Sequence, residues 1–330
     1  NDPAATTFVN YLESWYQNKC LSNSTSSSTA AYYYWMIFNV IEPSLPDKER
    51  AVDDIDAEYL NALLACINQK NENTAASAYR FLRVFIKDRF EPDTGDYELF
   101  FQIKKYSVLE KDPVLYTPEQ LTCLLSAAKK DNTSHYLEYA LALYCGLKPG
   151  EILGLKYSDF NRHEQTITIQ RICTLNDSEK NCQLKKLEGV KQNRSLKIPS
   201  FLFSELSARR KENRKLLTKY PSATGYKSYL CLGPTAKIKS VSTLGVALKT
   251  INTETGLPRL NMRDLRYMFA RFLLEQDFSL ETVSGILGHT KQTTTLAFCN
   301  RIPCTDPEVG AVVAGSLDPV LGAGKKEGKS

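Results

Sequence analysis

Apolar side chains recur at three- and four-residue intervals along most of this chain, and only two short stretches alternate as strands do. That pattern commits the molecule to helix packing with little sheet. Phe8, Val9, Leu12, Trp15 and Tyr16 mark a first helix over 6–20, and an aromatic-rich helix with Tyr32, Tyr33, Tyr34, Trp35, Ile37 and Phe38 ends near Pro43. Two more are expected at 56–70 and 74–90. Thr117-Pro118-Glu119-Gln120 opens another, with Thr117 as cap and Gln120 closing a capping box. The next runs from about 135 to Cys145 and stops at Gly146. Five follow, at 201–217, 241–256, 262–275, 279–287 and 292–301. The alternating stretches are Thr166–Ile169 and Arg194–Pro199, separated by the polar run NDSEKNCQLKKLEGVKQN, so a hairpin or small sheet with a long basic loop is expected. The fold class is mostly α with a small antiparallel β-sheet.

A chain of 330 residues is long enough for two cores. The expected division is an all-helical domain over 1–103, a charged linker over 104–116 interrupted by Pro113, a mixed α/β domain over 117–305, and a C-terminal segment over 306–330 that is partly disordered. Net charge is +5, unevenly spread. Residues 1–110 hold 10 Lys+Arg against 16 Asp+Glu, whereas 111–330 hold 32 against 21. The second part is therefore the one expected to meet phosphate. Arg80, Arg83 and Lys87 form a basic stripe on one helix of the first part, which either tracks a phosphate backbone or is a solvated face.

Other function classes lose support. No apolar run reaches the roughly 18 residues of a membrane span, and the start lacks a basic flank and an apolar signal core. A cytoplasmic protein without a membrane partner is expected. Nine scattered cysteines without a CxxC pair, and only three histidines, point to reduced thiols rather than a metal site. A phosphate-binding P-loop, GxGxxG, HExxH and GxSxG are all missing, so no cofactor is expected.

The polar residues that carry chemistry sit at helix ends. In NMRDLRYMFARFLLE, Asn261 caps a helix with Asp264 three residues on, and Arg263 and Arg266 fall in its first turns. Two guanidinium groups near a helix N-terminus suit a phosphate. In SLETVSGILGHT, Ser279 caps a short helix, Gly288 ends it and His289 follows. In GLKPGEILGLKYSDF, Lys148 lies in a tight turn where Glu151 can brace it. Lys191, in the loop before RSLKIP, can reach over a ligand, with Lys185 and Lys186 as rivals and Arg194 as a further DNA contact.

In this order, these motifs resemble the tyrosine recombinase (phage-type integrase) family, most nearly the integrases of phages and conjugative transposons. The resemblance covers about 117–302 as catalytic domain and, less specifically, 6–100 as the helical core-binding (SAM-like) domain. It implies that Arg266 is the second family arginine, His289 the His/Trp position, Lys191 the hairpin lysine and Glu151 the acidic residue after the first arginine. Three positions depart. Lys148 stands where the first arginine belongs, Arg263 where His or Lys is usual, and Phe298 where the nucleophilic tyrosine belongs, with no tyrosine after it. Cys299 and Tyr267 are the neighbouring nucleophiles, each about 100° around its helix from the position it would have to serve.

In the family the tyrosine oxygen attacks a DNA phosphodiester and leaves a 3′-phosphotyrosyl link. The arginines and His stabilise the transition state and the lysine protonates the leaving oxygen. Phe298 removes the attacking atom, and Lys148 loses the planar two-point grip on phosphate. The resemblance thus implies a duplex-DNA-binding protein for integration or excision that is cleavage-defective as written. It also implies a homo-tetramer on DNA through exchange of the C-terminal segment, with Val309–Leu321 as candidate. The start at Asn1 suggests a trimmed chain, without the arm-binding domain common in such integrases. The substitutions fit a deliberately disabled enzyme or a naturally silent regulator, the latter favoured by Arg263. A type IB topoisomerase needs the same missing tyrosine. A helical scaffold unrelated to DNA is the bland alternative.

Overall fold

The structure, a computed structural model, describes residues 6–21, 25, 27–89, 99–108, 113–130, 135–176, 181–187, 192–289 and 292–299. The chain forms two compact units, Asn1–Lys111 and Asp112–Ser330. Mostly helical, with small antiparallel sheets, it has the architecture its periodicity dictates.

The first unit contains α1 (Phe8–Leu21), α2 (Ser27–Trp35), α3 (Ala57–Lys70), α4 (Glu72–Arg89) and the short α5 (Leu99–Gln102). After Trp35 the α2 backbone widens into a π turn over Met36–Ile41 and tightens at Glu42–Ser44, ending at the proline the sequence marks. Asp56 caps α3 by accepting from the Tyr59 N–H at 2.7 Å. The apolar stripes of α1, α3 and α4 close on one core of Phe8, Leu12, Leu63, Leu64, Phe81 and Ile86. Trp15 meets Phe81 and Phe85 edge-on, with ring centroids 5.6 and 5.7 Å apart.

In the second unit, α6 (Pro118–Lys130) opens on the expected box, with Thr117 N–H donating to the Gln120 side chain and Gln120 N–H to Thr117 Oγ1. From Leu137 to Cys145 every residue of α7 (Tyr136–Cys145) is buried, so this helix is the axis of the unit. Around it pack α6, α8 (Pro149–Leu153), α9 (Phe201–Lys219) and α11 (Met262–Glu275). A three-stranded antiparallel sheet joins β1 (Phe160–Asn161), β2 (Thr166–Ile169) and β5 (Arg194–Lys197), with Ile167 opposite Leu196. Helices α10 (Val241–Glu254), α12 (Leu280–Leu287) and α13 (Gln292–Cys299) complete the described part.

Two expectations change. The polar run after Ile169 is not simply a loop. It folds into a separate two-stranded hairpin, β3 (Arg171–Asn176) and β4 (Asn181–Lys186). Its polar faces hid the alternation, and β3 instead gains its footing by lying on α8. There Gly150 is so close that a Cβ would stand 2.7 Å from the Cys173 carbonyl oxygen. The hairpin register also makes Cys173 and Cys182 diagonal neighbours, with Cα atoms 5.8 Å apart, and they are joined as a disulfide where reduced thiols were expected. Cys20, Cys66, Cys123, Cys145 and Cys231 are free. Among the described residues no helix is long and apolar enough to cross a membrane, and no group of three His, Cys, Asp or Glu is placed to hold a metal.

Candidate functional site

The site forms where the ends of α7, α11 and α12 meet the start of α8. Helix α7 must stop at Gly146, whose φ of 61° is left-handed and which has no room for a side chain: a Cβ would lie 2.4 Å from the Phe269 ring. The turn that follows sets Lys148 at the start of α8. Glu151 accepts from the Lys148 backbone N–H at 2.9 Å, and its carboxylate lies 4.0 Å from Lys148 Nζ. The brace read from the sequence is thus present. Glu151 is 2% exposed, whereas the Lys148 side chain is 41% exposed.

Arg194 grips the same carboxylate in a two-point pair, Nη1 to Oε1 at 3.1 Å and Nη2 to Oε2 at 3.0 Å. Its Nε donates to the Ile286 carbonyl at 2.7 Å and Nη1 also to the Gln192 carbonyl. Expected as a DNA contact, Arg194 is turned inward with a side chain 7% exposed, because strand β5 points it at the only carboxylate placed to receive it among the described site residues. Burial works against the Glu151 charge, but the hydrogen bonds and charge of Arg194 hold its carboxyl below the usual range. Removing one partner of such a buried pair costs about 3–5 kcal/mol, because the other charge is stranded.

Helix α11 starts as read. Asn261 Oδ1 accepts from the Arg263 and Asp264 N–H groups, and Asp264 returns a bond to the Asn261 N–H at 2.9 Å. The two arginines then separate. Arg263 is exposed, with its guanidinium 5.5 Å from the Tyr267 ring centre. Arg266 is buried. Its Nη1 donates to the Gly146 carbonyl, and its Nη2 to the Leu287 carbonyl at 2.7 Å and to His289 Nε2 at 2.9 Å. Tyr267 is buried beneath Arg263.

Gly288 ends α12 in the left-handed region and turns the chain so that His289 points back at Arg266. On its other side His289 Nδ1 lies 2.9 Å from Thr295 Oγ1 of α13. Burial, then the charges of Arg266, Lys148 and Arg194, push His289 down to about 4. Burial likewise pushes Arg266 down to about 10, opposed by Glu151 and aided by Arg194 and Arg263. It also lowers Lys148, with Glu151 opposing and Arg266 and Arg194 assisting.

Lys148, Glu151, Arg266 and His289, 141 residues apart at their extremes, therefore lie around one point. A cleft of about 570 Å³ opens beside it, lined by Lys148, Glu151, Ile172, Lys185, Lys186, Leu187 and Gln192. The chemistry on offer is cation-rich and suited to an anion. Lys191 lies outside the described residues. Phe298 falls on α13, with its side chain outside what is described, and the segment 306–330 lies outside the described residues. In the first unit Arg80 and Lys87 are exposed and Arg83 donates to Tyr79 Oη at 3.1 Å. The sequence reading missed Thr295 and the pairing of Arg194 with Glu151. A threonine has no motif of its own, and a strand arginine does not name its partner until the fold brings one up.

The phage integrase family model matches residues 115–301. The tyrosine recombinase XerC-like protein of Caldanaerobacter subterraneus subsp. tengcongensis is 27% identical over 201 residues, 57% of this chain, and the match spans half of that relative's length. The integrase of Mycobacterium phage L5 is 23% identical over 287 residues, 87% of this chain and 73% of the relative. Among solved structures, the Tn1549 transposon integrase in complex with a circular intermediate DNA superposes with a TM-score of 0.66 at 15% identity, covering 89% of this chain and 95% of that one. A lambda integrase dimer bound to a core site gives 0.64 at 14%, covering 92% and 79%. At such identities the likeness is one of fold.

Proposed function

The chain belongs to the phage integrase family, and from that premise we propose that it binds duplex DNA at a site of integration or excision, gripping one backbone phosphate with Arg266, Lys148 and His289. The observation that carries this reading is the convergence of those three side chains beside an open, lysine-lined cleft. Arg266 and Lys148 supply charge, Glu151 and Arg194 hold the floor rigid, and His289 stands at hydrogen-bonding distance from Arg266. Lys191 is the lysine we assign to protonating the leaving oxygen, with Lys185 and Lys186 on the cleft wall as backbone contacts. Arg80, Arg83 and Lys87 are the DNA-facing residues of the helical unit, and Arg263 lies at the rim of the site.

As written the chain is cleavage-defective. Phe298 has no oxygen to attack phosphorus, and Lys148 gives one point of contact where a guanidinium gives two. The second reading, a silent DNA-binding regulator, is favoured by the third departure, Arg263. Assembly as a tetramer through residues 306–330 belongs to the same proposal; a lambda integrase has been solved as a tetramer bound to a Holliday junction.

The test is incubation with nicked duplexes carrying candidate sites, followed by denaturing electrophoresis. The chain as it stands is expected to bind without a covalent adduct, and Lys148→Arg with Phe298→Tyr to form one. An adduct with the unaltered chain overturns the claim of lost cleavage. A silent double variant that still binds DNA favours the regulator. Absence of binding to any duplex at low salt removes the DNA reading altogether.

A further inference from the structure

We propose that Thr295 is a positioning residue that fixes which nitrogen of His289 carries the proton. A guanidinium has only donors to offer, so His289 Nε2, 2.9 Å from Arg266 Nη2, must accept. A neutral imidazole then carries its proton on Nδ1, and Nδ1 faces Thr295 Oγ1 at 2.9 Å. Both histidine and threonine are buried, Thr295 completely, so the hydroxyl is the partner the fold itself supplies. Among the described residues, the charged groups around the ring are Arg266 from α11, Arg194 from β5, and Lys148 and Glu151 from the turn into α8. Three cations against one carboxylate keep a second proton off the ring.

The consequence, which rests on the phosphate reading above, concerns the unliganded site. With the proton on Nδ1, His289 cannot donate from Nε2 to a phosphate oxygen. Donation requires Arg266 to release Nε2 and the ring to exchange tautomer, moving one proton from Nδ1 to Nε2 through solvent or the arriving anion with no net change in charge. A hydroxyl both donates and accepts, so Thr295 serves the second tautomer by turning its proton toward Nδ1. The tautomer is thereby tied to α13, the helix that also bears position 298.

The experiment is long-range ¹H–¹⁵N correlation of the full chain labelled with ¹⁵N-histidine at pH 7, with the His289 signal assigned by its loss in His289→Gln. The Nδ1–H pattern is expected in the chain and in Thr295→Ser. In Thr295→Val, which keeps the shape and loses the acceptor, the ratio of Nδ1–H to Nε2–H should fall by about tenfold, the worth of one hydrogen bond. Thr295→Ala makes the same deletion if the valine variant does not fold. An Nε2–H pattern in the unaltered chain, or spectra of the valine and alanine variants identical to it, overturns the proposal. Inorganic phosphate is then added. The signal of the chain and of Thr295→Ser should move toward Nε2–H, and that of Thr295→Val, which starts with less Nδ1–H, should move by less. If phosphate moves none of them but Thr295→Val still alters the resting signal, the phosphate reading falls and the role of Thr295 stands.

Discussion

His289 is a neutral side chain held among cations, and that makes it a measurable pH element. Its folded pKa is about 4 against an ordinary 6.5. The unfolded chain therefore binds more protons between these values, and stability rises with pH across that window. The contribution is complete above about pH 6.5 and is lost as pH falls toward 4. Between pH 7.5 and pH 5 the chain is expected to lose about 1–2 kcal/mol from this group, read from urea midpoints, and His289→Gln should lack that part of the slope. Glu151, whose carboxyl is held low, adds a loss of the same sign at still lower pH. At this scale Lys148, Glu151, Arg266 and His289 were legible because each sits beside a cap or a glycine that marks a helix end in the sequence. What decides their environment was not legible. Arg266 and Arg263 look equivalent in a linear reading, yet one helical step separates a buried group from an exposed one.

Among the elements, α7 does the most to place the chemistry. Its first turn holds Glu138, fully buried between Arg209 of α9 and Lys239, and the carbonyl of Gly146, just past its last turn, receives Arg266. The helix thus anchors the site at one end and α9 at the other, about 12 Å away at 1.5 Å per residue. Gly146 is the hinge of this arrangement. Gly146→Ala is expected to cost at least about 1–2 kcal/mol from the left-handed backbone alone, with more from the Phe269 ring, seen as a lowered denaturant midpoint. The same variant should weaken binding of short duplex DNA, since the carbonyl that seats Arg266 moves with the turn. Helix positions were readable because caps and apolar stripes are local. The β3–β4 hairpin was not, because its polar residues hide the alternation and its footing is a tertiary contact with α8. The π turn at Met36–Ile41 likewise leaves no mark in the periodicity.

For the molecule as a whole, charge is the property that extends beyond the site. The excess of cations after residue 110 should make DNA affinity fall steeply with salt. Lys185→Gln and Lys186→Gln are each expected to weaken binding of all sequences alike and to reduce the slope of log K against log salt by about 1, measured by fluorescence anisotropy from 50 to about 300 mM salt. An unchanged slope would remove both lysines from the DNA surface. The boundary between the two compact units, at 111/112, falls where the balance of charge changes. The seat of Arg266 has one more implication. Its oxygen acceptors, at Gly146 and Leu287, belong to the main chain, which every amino acid carries. Swapping the side chain at Leu287 leaves its oxygen in place, whereas a side chain at Gly146, or a residue inserted or deleted in either turn, displaces them. A lineage of such chains can therefore drift at its reactive positions and still inherit an intact cradle, and damage to that cradle should be sought in loop length and at the one glycine rather than in the rest of the spelling.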